Sequence, residues 1–161
     1  MTTRNFALIM GIVFLLVGIL GFIPGITVMH NDPLETEGLN LGGPGHGMLL
    51  GLFHVNILHN LVHLIFGGMG IAMSRTYPNA RLYAQIVAIV YGLLTILGAL
   101  PHLGLSPQFG TLFGLCPIHG HDVWLHALIA LAAAYFGFIA PATEMRTDTY
   151  STVGTERTER V

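Results

Sequence analysis

Between Val55 and Gly67 the chain reads VNILHNLVHLIFG, two histidines and two asparagines set into a run that otherwise has the composition of a lipid-facing helix. Imidazole nitrogens ligate metals and haem and relay protons, and inside a bilayer each such group needs a partner. At 100° per residue, Asn56, His59, Asn60 and His63 fall within an arc of about 100°, and Gly67 and Gly70 continue the stripe. Ile57, Leu58, Leu61, Val62, Leu64 and Ile65 occupy the other side. The predicted helix therefore has lipid behind it and a polar or closely packed surface in front. His54 points away from the stripe.

A second pair with helical spacing, Asp122 and His126, lies in the last apolar run. If the helices carrying the two pairs each cross about 20 residues of hydrocarbon, His59 and His126 enter to similar depths and can meet, while His63 approaches the midplane. His59, His63, Asp122 and His126 would together suit zinc, copper or non-haem iron, and two of the imidazoles would suit a haem. The plainer meaning is that these side chains and the polar face of Asn56 and Asn60 hydrogen-bond across the helices and fix their orientation, with no cofactor. Asp122, one turn from His126, can also orient that imidazole. A proton relay would need acceptors further in, where the helices offer little beyond Tyr83 and Gln85.

The elements that position these residues are set by composition. Of 161 residues, 53% are hydrophobic and 9% charged, against roughly 25% charged in an ordinary soluble domain. There is no lysine, and no basic patch points to nucleic acid. The single cysteine, Cys116, excludes an intrachain disulfide and a C-x-x-C motif. No nucleophile elbow, phosphate loop or H-E-x-x-H is present, so no catalytic activity is expected.

Four apolar spans are predicted, over 6–28, 48–73, 82–103 and 119–141. Gly11, Gly18, Gly21 and Gly25 line one side of the first and predict close helix contact. Residues 30–47 form an acidic loop with Asp32, Glu35 and Glu37, and His30 and His46 lie in it. Arg75 and Arg81 bracket a turn around Pro78. Tyr91, Thr95, Gly98 and His102 share a face of the third span, and Asp122, His126, Ala130, Ala133 and Gly137 a side of the fourth. Trp124 lies opposite Asp122 at the membrane boundary. Between these spans, Phe109, Leu112 and Phe113 are placed against the membrane surface.

Arg4, the Arg75–Arg81 turn and Arg146 belong on the cytoplasmic side by the positive-inside rule, which puts both termini there and the acidic loop outside. His102, His119 and His121 then join His30 and His46 at the outer surface, facing water or forming an outer metal-capture patch.

The pattern F-x-V-N-x-L-H-N-L-V-H-L-x-x-G, here Phe53 to Gly67, and a D-x-W-x-H element at Asp122, Trp124 and His126 resemble the small bacterial membrane proteins grouped as domain of unknown function 4383. The resemblance covers residues 5–140. It implies four spans with a glycine-rich first helix and supplies no activity. The chain departs from the pattern at His54, where relatives carry proline, and at His119 to His121, where they carry an asparagine-containing segment.

The expectation is an all-α integral membrane four-helix bundle over 1–141, followed by a polar, disordered cytoplasmic tail over 142–161. Its expected setting is a bacterial inner membrane or a comparable internal membrane. Its expected role is that of a structural or accessory subunit, packing through glycine-rich faces against itself or another membrane protein. A pigment-protein complex, in which a histidine ligates chlorophyll, is one such partner. The alternative is a metal- or haem-binding protein built on His59, His63, Asp122 and His126.

Overall fold

The computed structural model describes residues 1–28 and 47–141. The expected acidic loop and polar tail lie outside these residues. The described chain is mostly helical, with four helices: α1 (Thr3–Leu20), α2 (Ile57–Met73), α3 (Tyr77–Ala99) and α4 (His121–Ala134). A short antiparallel sheet, β1 (Thr27–Val28), β2 (Gly47–Leu49) and β3 (Phe53–Val55), adds a small extended element at one end of the otherwise helical chain.

The helices differ from the expected spans at their ends, and local chemistry explains each difference. α1 begins at Thr3 because Thr2 caps it, its hydroxyl accepting from the Asn5 amide at 3.1 Å. It stops at Leu20, eight residues short of the apolar run, where Pro24 and a left-handed Gly25 turn the chain into β1. α2 starts at Ile57, not near residue 48. Asn56 is extended and its side chain accepts from the His59 amide at 2.8 Å, an N-cap. The preceding Gly47–Val55 segment is hairpin, turning through Leu50 and Gly51, both at positive φ.

α3 begins at Tyr77, with Pro78 inside its first turn rather than in the connecting loop. It continues as a 3₁₀ turn over Leu100–Leu103 and ends at Gly104, φ 79°. α4 starts after Gly120, φ 68°, and closes in a π-helical turn over Tyr135–Ile139.

Contacts along the helices establish their directions. Arg4 Nε donates to the Ser74 carbonyl at 3.2 Å, Gly11 lies against Gly67 and Gly70, and Gly18 against Leu64, so α1 and α2 are antiparallel. A Cβ on Gly11 would stand 2.7 Å from the Ile71 amide nitrogen, and one on Gly67 2.6 Å from that of Leu15. The expected glycine contact is thus made within the chain by Gly11 and Gly18. Gly21 comes next, against the Asn60 side chain, and Gly25 lies in the turn beyond.

α3 and α4 are antiparallel as well. Tyr91 stands on His126, and at the far end Arg81 Nε and Gln85 Nε2 both donate to the Gly137 carbonyl, at 2.9 and 3.0 Å. The core between the pairs is aromatic and alanine-rich: Phe6 stacks on Phe136 at 4.7 Å and Phe14 on Tyr91 at 5.2 Å, around Ala80, Ala84, Val87 and Ala133. Arg4 and Arg81 therefore lie at one end, and the sheet, the Gly104–Gly120 loop, His102, His119 and His121 at the other.

Three helical stretches are long and apolar enough to cross a membrane, Thr3–Leu20, Tyr77–Leu103 and His121–Ile139, while Ile57–Met73 is shorter. Large apolar side chains on all of them face outward, among them Ile9, Ile65, Ile89 and Leu128.

Candidate functional site

The polar face of α2 packs between α1, α4 and the loop that precedes α4. His59, His63, Asp122 and His126 are all buried, at 4, 7, 2 and 3% exposure. The His59 and His63 rings stack at 4.6 Å with an 8° interplanar angle, as their one-turn spacing on a helix permits. His126 of α4 brings its ring to 6.5 Å from that of His59. Tyr91 closes the far side of His126, edge to face at 5.1 Å, and Phe14 of α1 meets His63 at 5.5 Å.

Hydrogen bonds fix the tautomers of two rings. His63 Nδ1 lies 3.1 Å from the His59 carbonyl, which can only accept, so Nδ1 carries the proton and Nε2 the lone pair. His59 bonds the Pro117 carbonyl through its ring, while its Nδ1 has no partner within the chain; Nε2 is therefore the protonated nitrogen. His126 Nδ1 and Asp122 Oδ2 are also buried without hydrogen-bond partners in the chain. Asp122 accepts from the backbone N–H of His54 in β3, so it braces the sheet against α4 rather than orienting His126.

Asn60 is buried against Gly21, the residue that caps the end of α1. Asn56, expected on the same helical face, stands before it: its carbonyl oxygen caps α2 while its Nδ2 donates to the Leu115 carbonyl at 2.9 Å. That bond ties the start of α2 to the Gly104–Gly120 loop.

The arrangement thus gathers three imidazoles from two helices and sets Asp122 to another task. Among the described residues no three His, Cys, Asp or Glu side chains are grouped as a metal would require. Within the three-imidazole cluster, His59 Nδ1 and His126 Nδ1 are buried without a hydrogen-bond partner in the chain. Nearer the surface the rings of His54 and His119 stand 4.5 Å apart. Cys116 sits beside this region, half-buried, its thiol pushed up to about 12 by burial and, secondarily, by Asp122.

Phe14, Tyr91 and Pro117 complete the surroundings of the histidines, and residue spacing alone does not mark them as site residues. Tyr91 does share its helix face with Thr95 and Gly98, a visible signal. The capping role of Asn56 has one too, an asparagine immediately before an apolar run. The Pro117 carbonyl and Phe14 have none, because only tertiary packing brings them there.

Residues 4–139 match the family described as Domain of unknown function (DUF4383). The chain belongs to that family. The buried α2 stripe and the Asp122–His126 segment both fall within the matched span. No curated protein and no solved structure matches the chain.

Proposed function

We propose that this family member is a four-span integral membrane protein, an antiparallel bundle with both termini in the cytoplasm, and that it serves as a non-catalytic accessory subunit of other membrane proteins. One observation carries this reading. The groups that usually do chemistry are turned inward and engaged in holding helices together, whereas the outward surface of the helices is apolar. His63 bonds the His59 carbonyl, His59 bonds Pro117, Asn56 bonds Leu115, and the glycines of α1 meet those of α2. The orientation is supported by Arg4 and Arg81 at one end with Arg75 in the turn between α2 and α3, as the positive-inside rule requires of a cytoplasmic face. An inner or comparable internal membrane fits this arrangement.

Gentle extraction from the native membrane followed by mass determination and crosslinking tests the role. Co-migration with a larger complex is expected, a pigment-protein assembly among the possible hosts. A protein that runs alone under every mild condition would sink the subunit reading. A reporter fused after Val161 should read out from the cytoplasm.

A second reading, a metal or haem site on His59, His63, Asp122 and His126, is favoured by the buried atoms without partners, since each costs about 1–3 kcal/mol when left unsatisfied. Elemental analysis and an absorption spectrum, compared with the His59→Ala, His126→Ala variant, separate the two. A stoichiometric metal or Soret band lost in the variant supports the second reading; a colourless, metal-free protein supports the first.

A further inference from the structure

Among the described residues, the end of the molecule opposite the arginines is built from 21–28, 47–56 and 100–121, and these contain no Asp, Glu, Lys or Arg. A segment of this size standing in bulk water would carry charge at roughly one residue in four. It instead exposes large apolar side chains: Val28 is 56% exposed, Leu50 63%, Leu52 48%, Leu103 75% and Phe113 63%, with Trp124 at 74% just inside α4. Hydrogen bonds from the Leu50 amide to the Ile26 carbonyl and from Asn56 to Leu115 join these strands and loops into one cap.

Two further observations bear on what covers that cap. α2 has 17 residues, about 25 Å of helix, against a hydrocarbon core of roughly 30 Å. The missing few ångströms equal one or two residues of extended chain at about 3.3 Å each, which is what β3 supplies. The hairpin's turn at Leu50–Gly51 therefore lies beyond the hydrocarbon. Leu50, Leu112 and Phe113 also adopt positive φ, at 54°, 48° and 57°. A turn in water would place Gly or Asn there; bulky apolar residues at such positions cost about 1–2 kcal/mol each.

We propose that this cap is a lipid-binding surface: the β2–β3 hairpin tip and the Leu103–Phe113 loop are bedded in the headgroup-acyl boundary of the outer leaflet. The surface is continuous with the apolar belt of the helices, and Trp124 lies where an indole marks that boundary. At this depth β3 turns its outer edge to α4, where Asp122 accepts from the His54 amide, so no unpaired strand edge faces the hydrocarbon. The proposal rests on the membrane-spanning reading and adds a fourth crossing completed by a hairpin.

The test is nitroxide accessibility in vesicles of phosphatidylcholine and phosphatidylglycerol holding only this full chain. Leu50→Cys, Leu52→Cys and Phe113→Cys are made in a Cys116→Ala background, with Leu128→Cys as the mid-span control and Arg75→Cys as the aqueous one. Leu52 carries no positive φ, so its variant keeps the test sound if the other two disturb the turns. The three cap positions are expected to be relaxed by oxygen in preference to a water-soluble nickel chelate, as Leu128→Cys is, at a depth on the order of 5–10 Å. Chelate accessibility equal to that of Arg75→Cys, with Leu128→Cys still oxygen-dominated, would overturn the proposal and leave the membrane reading standing. Such a result would point to a protein partner covering the cap. Chelate access at Leu128→Cys would overturn both.

Discussion

Arg81 of α3 donates its Nε hydrogen to the carbonyl of Gly137 in α4 at 2.9 Å, and Gln85 donates to the same oxygen at 3.0 Å. That oxygen is available because it lies in the last helical turn and the residue four positions on, Pro141, has no N–H to offer it. Gly137 also lets α3 approach: a Cβ there would sit 2.9 Å from the Gln85 amide nitrogen. Arg81→Leu should destabilise the protein by about 1.5–3 kcal/mol, the range for a hydrogen bond from a charged donor. Arg81→Lys should recover only part of that, since the Arg81 Nη1 bond to the Tyr77 hydroxyl at 3.3 Å is lost as well. Unfolding titrations in mixed micelles read both.

The glycines of α1 and α2 are not equivalent. Gly11→Val and Gly67→Val place a side chain where backbone already stands and should cost about 1–3 kcal/mol or prevent folding. Gly68→Ala, with nothing within 4 Å of its Cβ, should be neutral or stabilise by up to about 1 kcal/mol through helix propensity. Thermal unfolding of the three in one detergent is the comparison; equal losses would refute the assignment of faces.

Asn56 can be dissected by two substitutions. Asn56→Ala loses the cap and the tether to Leu115, together about 2–3 kcal/mol. Asn56→Asp retains the cap oxygen and loses only the donor, so it should fall between. Hydrogen exchange of the α2 first turn and of the Leu115 region reads the two losses separately.

Cys116 should alkylate slowly. With its thiol at about 12 instead of the usual value near 9, the thiolate fraction at pH 8 drops by about 10³, and iodoacetamide should react in proportion until the protein is unfolded. Because the folded-state value is the higher one, the unfolded chain releases its proton first. The thiol's contribution is therefore whole below pH 9 and is lost as pH rises toward 12. Cys116→Ser should remove that alkaline component of a pH–stability profile.

Much of the inward side was legible from spacing alone: His59, Asn60, His63, Gly67 and Gly70 are all buried on α2, as are Asp122, His126, Ala133 and Gly137 on the fourth span, with Ala130 half-buried among them. What periodicity could not reveal is where each apolar run stops being helix. Gly47 to Val55 is as rich in apolar residues as α2 itself, and only the Leu50–Gly51 turn and the Asn56 cap distinguish hairpin from helix. Hydropathy is blind to that difference. The i, i+4 spacing of Asp122 and His126 suggests a carboxylate that orients an imidazole, yet the His54 amide, brought in by the sheet, holds Asp122 elsewhere.

The antiparallel seam of α1 and α2 also bears on how the chain enters the bilayer. Alone, α2 would present Asn60, His59 and His63 to hydrocarbon, and such residues are poorly accepted by the insertion machinery. Gly11 and Gly18 let α1 lie close over that stripe, with Phe14 against His63 and Gly21 against Asn60. If α1 and α2 both cross the bilayer as proposed, they are suited to leave the translocon together as a hairpin, with α1 acting as the solvent into which α2 partitions.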